Sequence, residues 1–233
     1  MRHTHFIFAM ILGSLLLGCG TNVASSLVDA DPIDAALVYL EQDDPDSAIA
    51  ILEDVVESEP TNYEAKSILA LAIGQKYGLE PLEFALNLAT QSSEQAGSGL
   101  TSMMGALPAA TDTNIAGIQQ AVTYMESIPE ASRNKADTFK LSMFQSALLT
   151  LMMKKLDDDL SGEFDASELA NLSDEDAAAI MLLLANAVTS SNAGADGDSS
   201  AGAASQLAAI QSAIDGESGS SDSEKLKNYL SST

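Results

Sequence analysis

The chain has no tryptophan, a single cysteine (Cys19) and two histidines, both within the first five positions. One cysteine excludes any disulfide within the chain. Past His5 there is no imidazole, so Ser-His-Asp and Cys-His catalysis, histidine metal centres and zinc-thiolate sites have no residues to be built from. Basic residues are scarce too: 10 Lys and Arg stand against 34 Asp and Glu, a formal charge of −24. Nucleic acid and anionic membrane surfaces would be repelled by this balance. No stretch alternates apolar and polar residues as a half-buried strand would. Among so many acids some carboxylate pair is expected by chance, so such a pair is no sign of catalysis, and the chain reads as a non-enzyme. Its 46% hydrophobic content nevertheless excludes general disorder and supplies a core.

Residues 1–18 have the form of a targeting segment. Arg2, His3 and His5 make a polar start, and Phe6 to Leu17 is an apolar run too short for a comfortable membrane span. It ends Leu16-Leu17-Gly18-Cys19, which resembles the lipobox of bacterial lipoproteins. The resemblance implies that residues 1–18 are a removed signal peptide. Cys19 would be lipidated on sulfur and acylated at its new amino terminus, and residues 19–30 would form a lipidated tether. Gly20 rather than Asp after the cysteine implies the outer membrane, facing the periplasm. Arg2 would leave without an acid, so the charge would move from −24 to −25 over 215 residues. Several acyl chains anchor far more firmly than one.

The most chemically specific stretch is Asp157 to Glu168, DDDLSGEFDASE. Calcium takes six to eight hard oxygen ligands from a loop that wraps around it. Asp157, Asp159 and Ser161 stand at positions one, three and five to offer side-chain oxygens, and Glu163 at seven to offer its carbonyl. Asp165 at nine would bind directly or through water, and Glu168 at twelve with both carboxylate oxygens. Gly162, at position six, permits the sharp turn. The stretch thus resembles an EF-hand calcium loop, with Phe164 as the inward apolar residue of the eighth position. Leu149, Met152, Met153 and Leu156 precede it at helical spacing, and Leu169 and Leu172 follow. Ser173-Asp174-Glu175-Asp176 signals a fresh N-cap, so the exiting helix should be about two turns long. No second loop matches. An unpaired site is expected to brace the fold rather than switch it.

The rest predicts an all-α fold. In 31–92, Asp31-Pro32 and Asp44-Pro45 each read as an N-cap followed by proline at the first helical position. Helices are expected over about 32–42, 45–57, 62–76 and 81–92, with Gly78 ending the third. Ala36, Tyr39, Ala48, Leu52 and Pro60 occupy the small, aromatic, small, bulky and proline positions of a tetratricopeptide repeat, and this region resembles that family. Pro32 stands at the tryptophan-like position, so the match is partial. Leu69, Ala70 and Ala85 would pack a degenerate second repeat. Residues 93–112 read as a loop around Met103-Met104, a pair more often a core plug than a binding surface.

Residues 113–190 read as a helical bundle holding the calcium loop. Helices are expected over about 113–127 and 134–156, and Ala177 to Val188 is apolar nearly all round, as a central buried helix would be. Residues 191–233 have linker composition and are expected as a flexible tail with short helices near 206–214 and 225–230. These parts describe a lipid-anchored periplasmic scaffold for protein–protein interaction, stabilised by one calcium ion. The alternative is a lipoprotein that binds a hydrophobic solute between Met- and Phe-lined helices and accompanies a transporter.

Overall fold

A computed structural model describes residues 31–80, 83–84, 103–157, 161, 164–194 and 198–232, with the side chains of 198–203 and 206 left aside. The leader, Cys19, the tether, most of the expected 81–92 helix, and Asp159, Gly162 and Glu163 lie outside the described residues. The fold is all-α. Among the described residues the helices are α1 (Pro32–Glu41), α2 (Pro45–Ser58), α3 (Tyr63–Lys76), α4 (Asp112–Glu126), α5 (Lys135–Leu156), α6 (Ala166–Ala170), α7 (Asp174–Gly194), α8 (Asp198–Gly216) and α9 (Asp222–Leu230), with a 3-10 turn at Glu130–Ser132.

The helix starts are where the capping residues stand. Asp31 accepts from the Ile33 N–H at 2.9 Å, Asp44 from the Ser47 N–H at 3.2 Å, and Asn62 from the Ala65 N–H at 3.0 Å. Each satisfies a backbone donor that the first helical turn leaves without a partner. At the other end of α3, Gly78 takes a φ of +77°. The Leu79 N–H returns to the Gly74 carbonyl and the Gly78 N–H to that of Gln75, both at 2.9 Å. This pair of bonds is a Schellman cap, and it needs a residue that tolerates the left-handed region.

Packing follows chain order. Contacts link α1 to α2, α2 to α3, α3 to α4, α4 to α5, α5 to α7, and α7 to α8 and α9, with lesser ones from α1 to α3 and from α3 to α5. Such nearest-neighbour stacking is how repeat arrays are organised. Ala36, Ala48 and Leu52 are fully buried between the first helices, and Tyr39 packs beside them. Two contacts set the direction of α3 against α5. The Ser67 hydroxyl donates to Asp137 at 2.8 Å, and Gly74 lies against the Phe144 ring. Each partner stands seven residues after its predecessor, so the two helices run the same way, as alternate members of an antiparallel stack must.

Close approach depends on glycine at one further point. A methyl group on Gly117 of α4 would overlap the Tyr77 ring. Alanine is about 1 kcal/mol better than glycine inside a helix, but overpacking a fixed interior costs about 1–3 kcal/mol. Gly117→Ala is therefore expected to lower the melting temperature by a few degrees. A thermal melt showing a rise would mean that Tyr77 swings aside freely.

The central buried helix is α5, not the 177–188 segment. Most of α5 from Leu141 to Leu151 is buried, whereas α7 buries only a stripe that includes Ala177, Ile180, Leu184 and Ala187, and leaves Leu182 64% exposed. The sequence conceals this because α5 carries buried hydroxyls. Ser146 donates to the Ser142 carbonyl at 2.7 Å and Thr150 to the Ser146 carbonyl at 2.8 Å, so each is satisfied by its own helix. α7 is long and apolar enough to cross a membrane by length and composition, but its buried stripe packs on α5.

The tail also departs from expectation. α7 runs on to Gly194, and α8 and α9 pack on it where a flexible tail was expected. Leu207, Ile210 and Ile214 bury one stripe of α8, and Leu226, Tyr229 and Leu230 one edge of α9. A linker-like composition does not prevent a helix when apolar residues recur every three or four positions. Met103 and Met104 are core residues, 2% and 5% exposed.

Candidate metal centre

The stretch from Asp157 to Glu168 joins α5 to α6. Asp157 closes the C-terminal end of α5 and is 3% exposed; Glu168 lies in the first turn of α6 and is also 3% exposed. Between them Phe164 is 6% exposed, the inward apolar anchor expected at the eighth position. The Ser161 N–H donates to Asp157 Oδ1 at 2.9 Å, which turns the chain back over the end of α5.

The exit is fixed by a reciprocal cap. Asp165 Oδ1 accepts from the N–H groups of Ser167 at 2.7 Å and Glu168 at 2.9 Å, and from the Ser167 hydroxyl at 2.6 Å. Glu168 Oε2 accepts from the Asp165 N–H at 2.8 Å. The Ser167 hydroxyl, aided by the N–H groups of Glu168 and Ser167, holds the Asp165 carboxyl below the usual carboxylate range. α6 ends at Ala170, about as short as the renewed cap at Ser173 implied, and Ser173 accepts from the Asp176 N–H at 3.1 Å.

These residues fit a hard cation in kind. Asp157, Ser161, Asp165 and Glu168 are oxygen donors of the type calcium takes, and two of the carboxylates are buried beside a loop held by its own N–H groups. Among the described residues no three acidic, histidine or cysteine side chains gather at a metal-sized point. Asp159 and Glu163, the other two residues of the expected set, lie outside them.

A second feature at this end of α5 had no sequence signal. Lys154 Nζ donates to the Met104 carbonyl at 2.8 Å and the Leu107 carbonyl at 2.9 Å, tying the Met-containing segment to the approach of the loop. Burial pushes the Lys154 ammonium down, against the attraction of Asp157, which favours its charge. Lys155, its neighbour, pairs with Asp112 at 2.6 Å on the surface. A cleft of about 440 Å³ beside the loop is lined by residues that include Met152, Leu156 and Asn171.

Two further clefts lie among the helices. One of about 450 Å³ is lined by Val56 and Pro60 after the α2 core positions, Lys66 of α3, and Gln120, Thr123, Tyr124 and Ser127 at the end of α4. The other, of about 410 Å³, opens at the N-terminal ends of α3 and α5 above Ser67, Asp137 and Lys140. Asn134 and Asp137 form a capping box that starts α5. The bond from Ser67 to Asp137 spans 70 positions and has no sequence signal.

Comparison with protein-family models, with curated proteins and with solved structures finds no match to this chain.

Proposed function

We propose that this protein is a lipid-anchored helical scaffold of the bacterial cell envelope, attached through Cys19 at the outer membrane facing the periplasm, that engages a protein partner and is braced by one calcium ion. The observation that carries the calcium part is the placement of oxygen donors at the ligating spacing, with Asp157 and Glu168, the first and twelfth positions, both buried on either side of the inward Phe164. Asp157, Asp159, Ser161, Glu163, Asp165 and Glu168 are the residues that would hold the ion. Calcium would neutralise the loop and fix the joint between α5 and α6.

The scaffold part is supported by the sequential stack and by the cleft between α2, α3 and α4. Its Tyr124, Pro60 and Val56 offer aromatic and apolar area beside the Lys66 ammonium, a composition suited to protein contacts. Several of the methionines that could line the alternative solute pocket are core: Met103, Met125, Met143 and Met153 are at most 2% exposed.

The experiment compares three forms, wild type, Cys19→Ala and Tyr124→Asp. Labelled palmitate should enter the wild type and Tyr124→Asp but not Cys19→Ala. One envelope protein should be recovered in constant ratio with the wild type and lost with Tyr124→Asp. Equal palmitate labelling of all three would remove the anchor, and equal recovery by all three would remove the cleft as the contact.

A further inference from the structure

The cleft between the N-terminal ends of α3 and α5 has a charged, hydrogen-bonded floor. Ser67 is 2% exposed and Asp137 6% exposed, and both belong to one bonded cluster. The Ser67 hydroxyl donates to Asp137 Oδ1 at 2.8 Å, and Lys140 Nζ donates to Ser67 Oγ at 2.7 Å while standing 3.5 Å from the same carboxylate. Contacts from α3 to α5 are few, and α4 already bridges the two helices. A buried ion pair adds little net stability over apolar packing. One Asp137 oxygen also caps the start of α5 through the Asn134 N–H, and the other belongs to this cluster, which lies under a cavity of about 410 Å³, within the size range of small-molecule sites.

The hydrogen-bonding capacity of the cluster says what the cavity takes. Ser67 gives its proton to Asp137 and receives one from Lys140. The ammonium has three donors; Ser67 takes one and Asp137 a longer second, leaving one that no described residue takes. Lys140 keeps 26% of its side chain exposed. Its remaining donor asks for an acceptor, and a carboxylate serves best because the bond is charge-assisted. Glu64, which is exposed, brings a second carboxylate to the same lining, while Tyr63 and Ile68 give it apolar area. The lining thus presents from the floor the Lys140 ammonium beside its partner Asp137, and from α3 a second carboxylate, Glu64.

We propose that this cleft binds a small zwitterion of the amino-acid type, its carboxylate on Lys140, its ammonium toward Glu64 and its side chain against Tyr63 and Ile68. The site is independent of the calcium loop and of the cleft at Tyr124.

The test is calorimetry and thermal shift on the purified protein with each standard amino acid at millimolar concentration. At least one is expected to bind and raise the melting temperature. For that amino acid, the analogue lacking the ammonium and the analogue lacking the carboxylate are then titrated. Loss of the carboxylate should weaken binding by roughly tenfold or more. Glu64→Gln, a surface change, should weaken the amino acid by about two- to fivefold and leave the deaminated acid unchanged. Lys140→Met with Asp137→Asn removes both charges of the buried pair, leaves no unpaired ion to unfold the variant, and should abolish binding. The proposal fails if no amino acid binds at millimolar concentration. It fails equally if the deaminated acid binds as tightly as its parent with Glu64→Gln without effect, or if the double variant binds like the wild type.

Discussion

Calcium is expected to raise the melting temperature of the wild-type protein by several degrees and to leave that of Glu168→Gln almost unchanged. Ligand binding stabilises the folded state by RT ln(1 + [L]/Kd). With Kd of about 10⁻⁴–10⁻³ M, as in extracellular modules, about 10 mM calcium contributes roughly 1.4–2.7 kcal/mol. For a chain of this size that corresponds to about 3–10 °C. Glu168→Gln is a fair test because the glutamine amide oxygen can still accept from the Asp165 N–H, the bond that Glu168 Oε2 accepts at 2.8 Å. The cap of α6 is kept and the second anionic ligand oxygen is lost. Magnesium should stabilise much less, since it demands near-octahedral geometry and sheds water reluctantly. Ionic strength must be matched with sodium chloride, because a charge of −24 repels itself and any salt relieves part of that. Equal stabilisation of both proteins by calcium, or no calorimetric heat near 1 mM, would reduce the loop to an acidic turn.

The second large effect lies where α3 meets α5. Phe144 is fully buried, and a methyl group on Gly74 would stand 2.7 Å from its Cε1 and 3.2 Å from its Cζ. Phe144→Ala is expected to cost about 3–5 kcal/mol, the range for deleting a buried ring. That is a large share of the roughly 5–15 kcal/mol that holds a typical domain folded. Gly74→Ala alone should cost about 1–3 kcal/mol from overpacking, reduced by about 1 kcal/mol of helix propensity. With the ring gone the same methyl has room, so the double variant should be more stable than the sum of the single effects implies. The expected coupling is about 1–3 kcal/mol. Denaturant melts of the four proteins measure it; additive effects would mean that the ring and the glycine do not share this space.

The amino-acid sequence determined the helices and most of their ends, because those signals act within one turn of chain. Asp31, Asp44 and Ser173 each accept from an N–H two or three residues on, and Gly78 supplies the left-handed backbone that closes α3. The local hydrogen bonds of the loop follow from spacing for the same reason: Asp157 and Ser161 are four residues apart, and Asp165 and Glu168 three, which brings them within hydrogen-bond reach. The tertiary structure decided which helix is central and what faces the clefts. α5 was obscured by its serines and threonine, whose hydroxyls are satisfied only by the carbonyls of the turn before. The tail was obscured by a composition that turns helical once Leu207, Ile210 and Ile214 have α7 to bury against. Ser67, Gly74, Asp137 and Phe144 carry no mark of partnership across some 70 positions. Their pairing is set when the stack closes, since apolar burial is non-directional and acquires a partner only from the order in which helices pack.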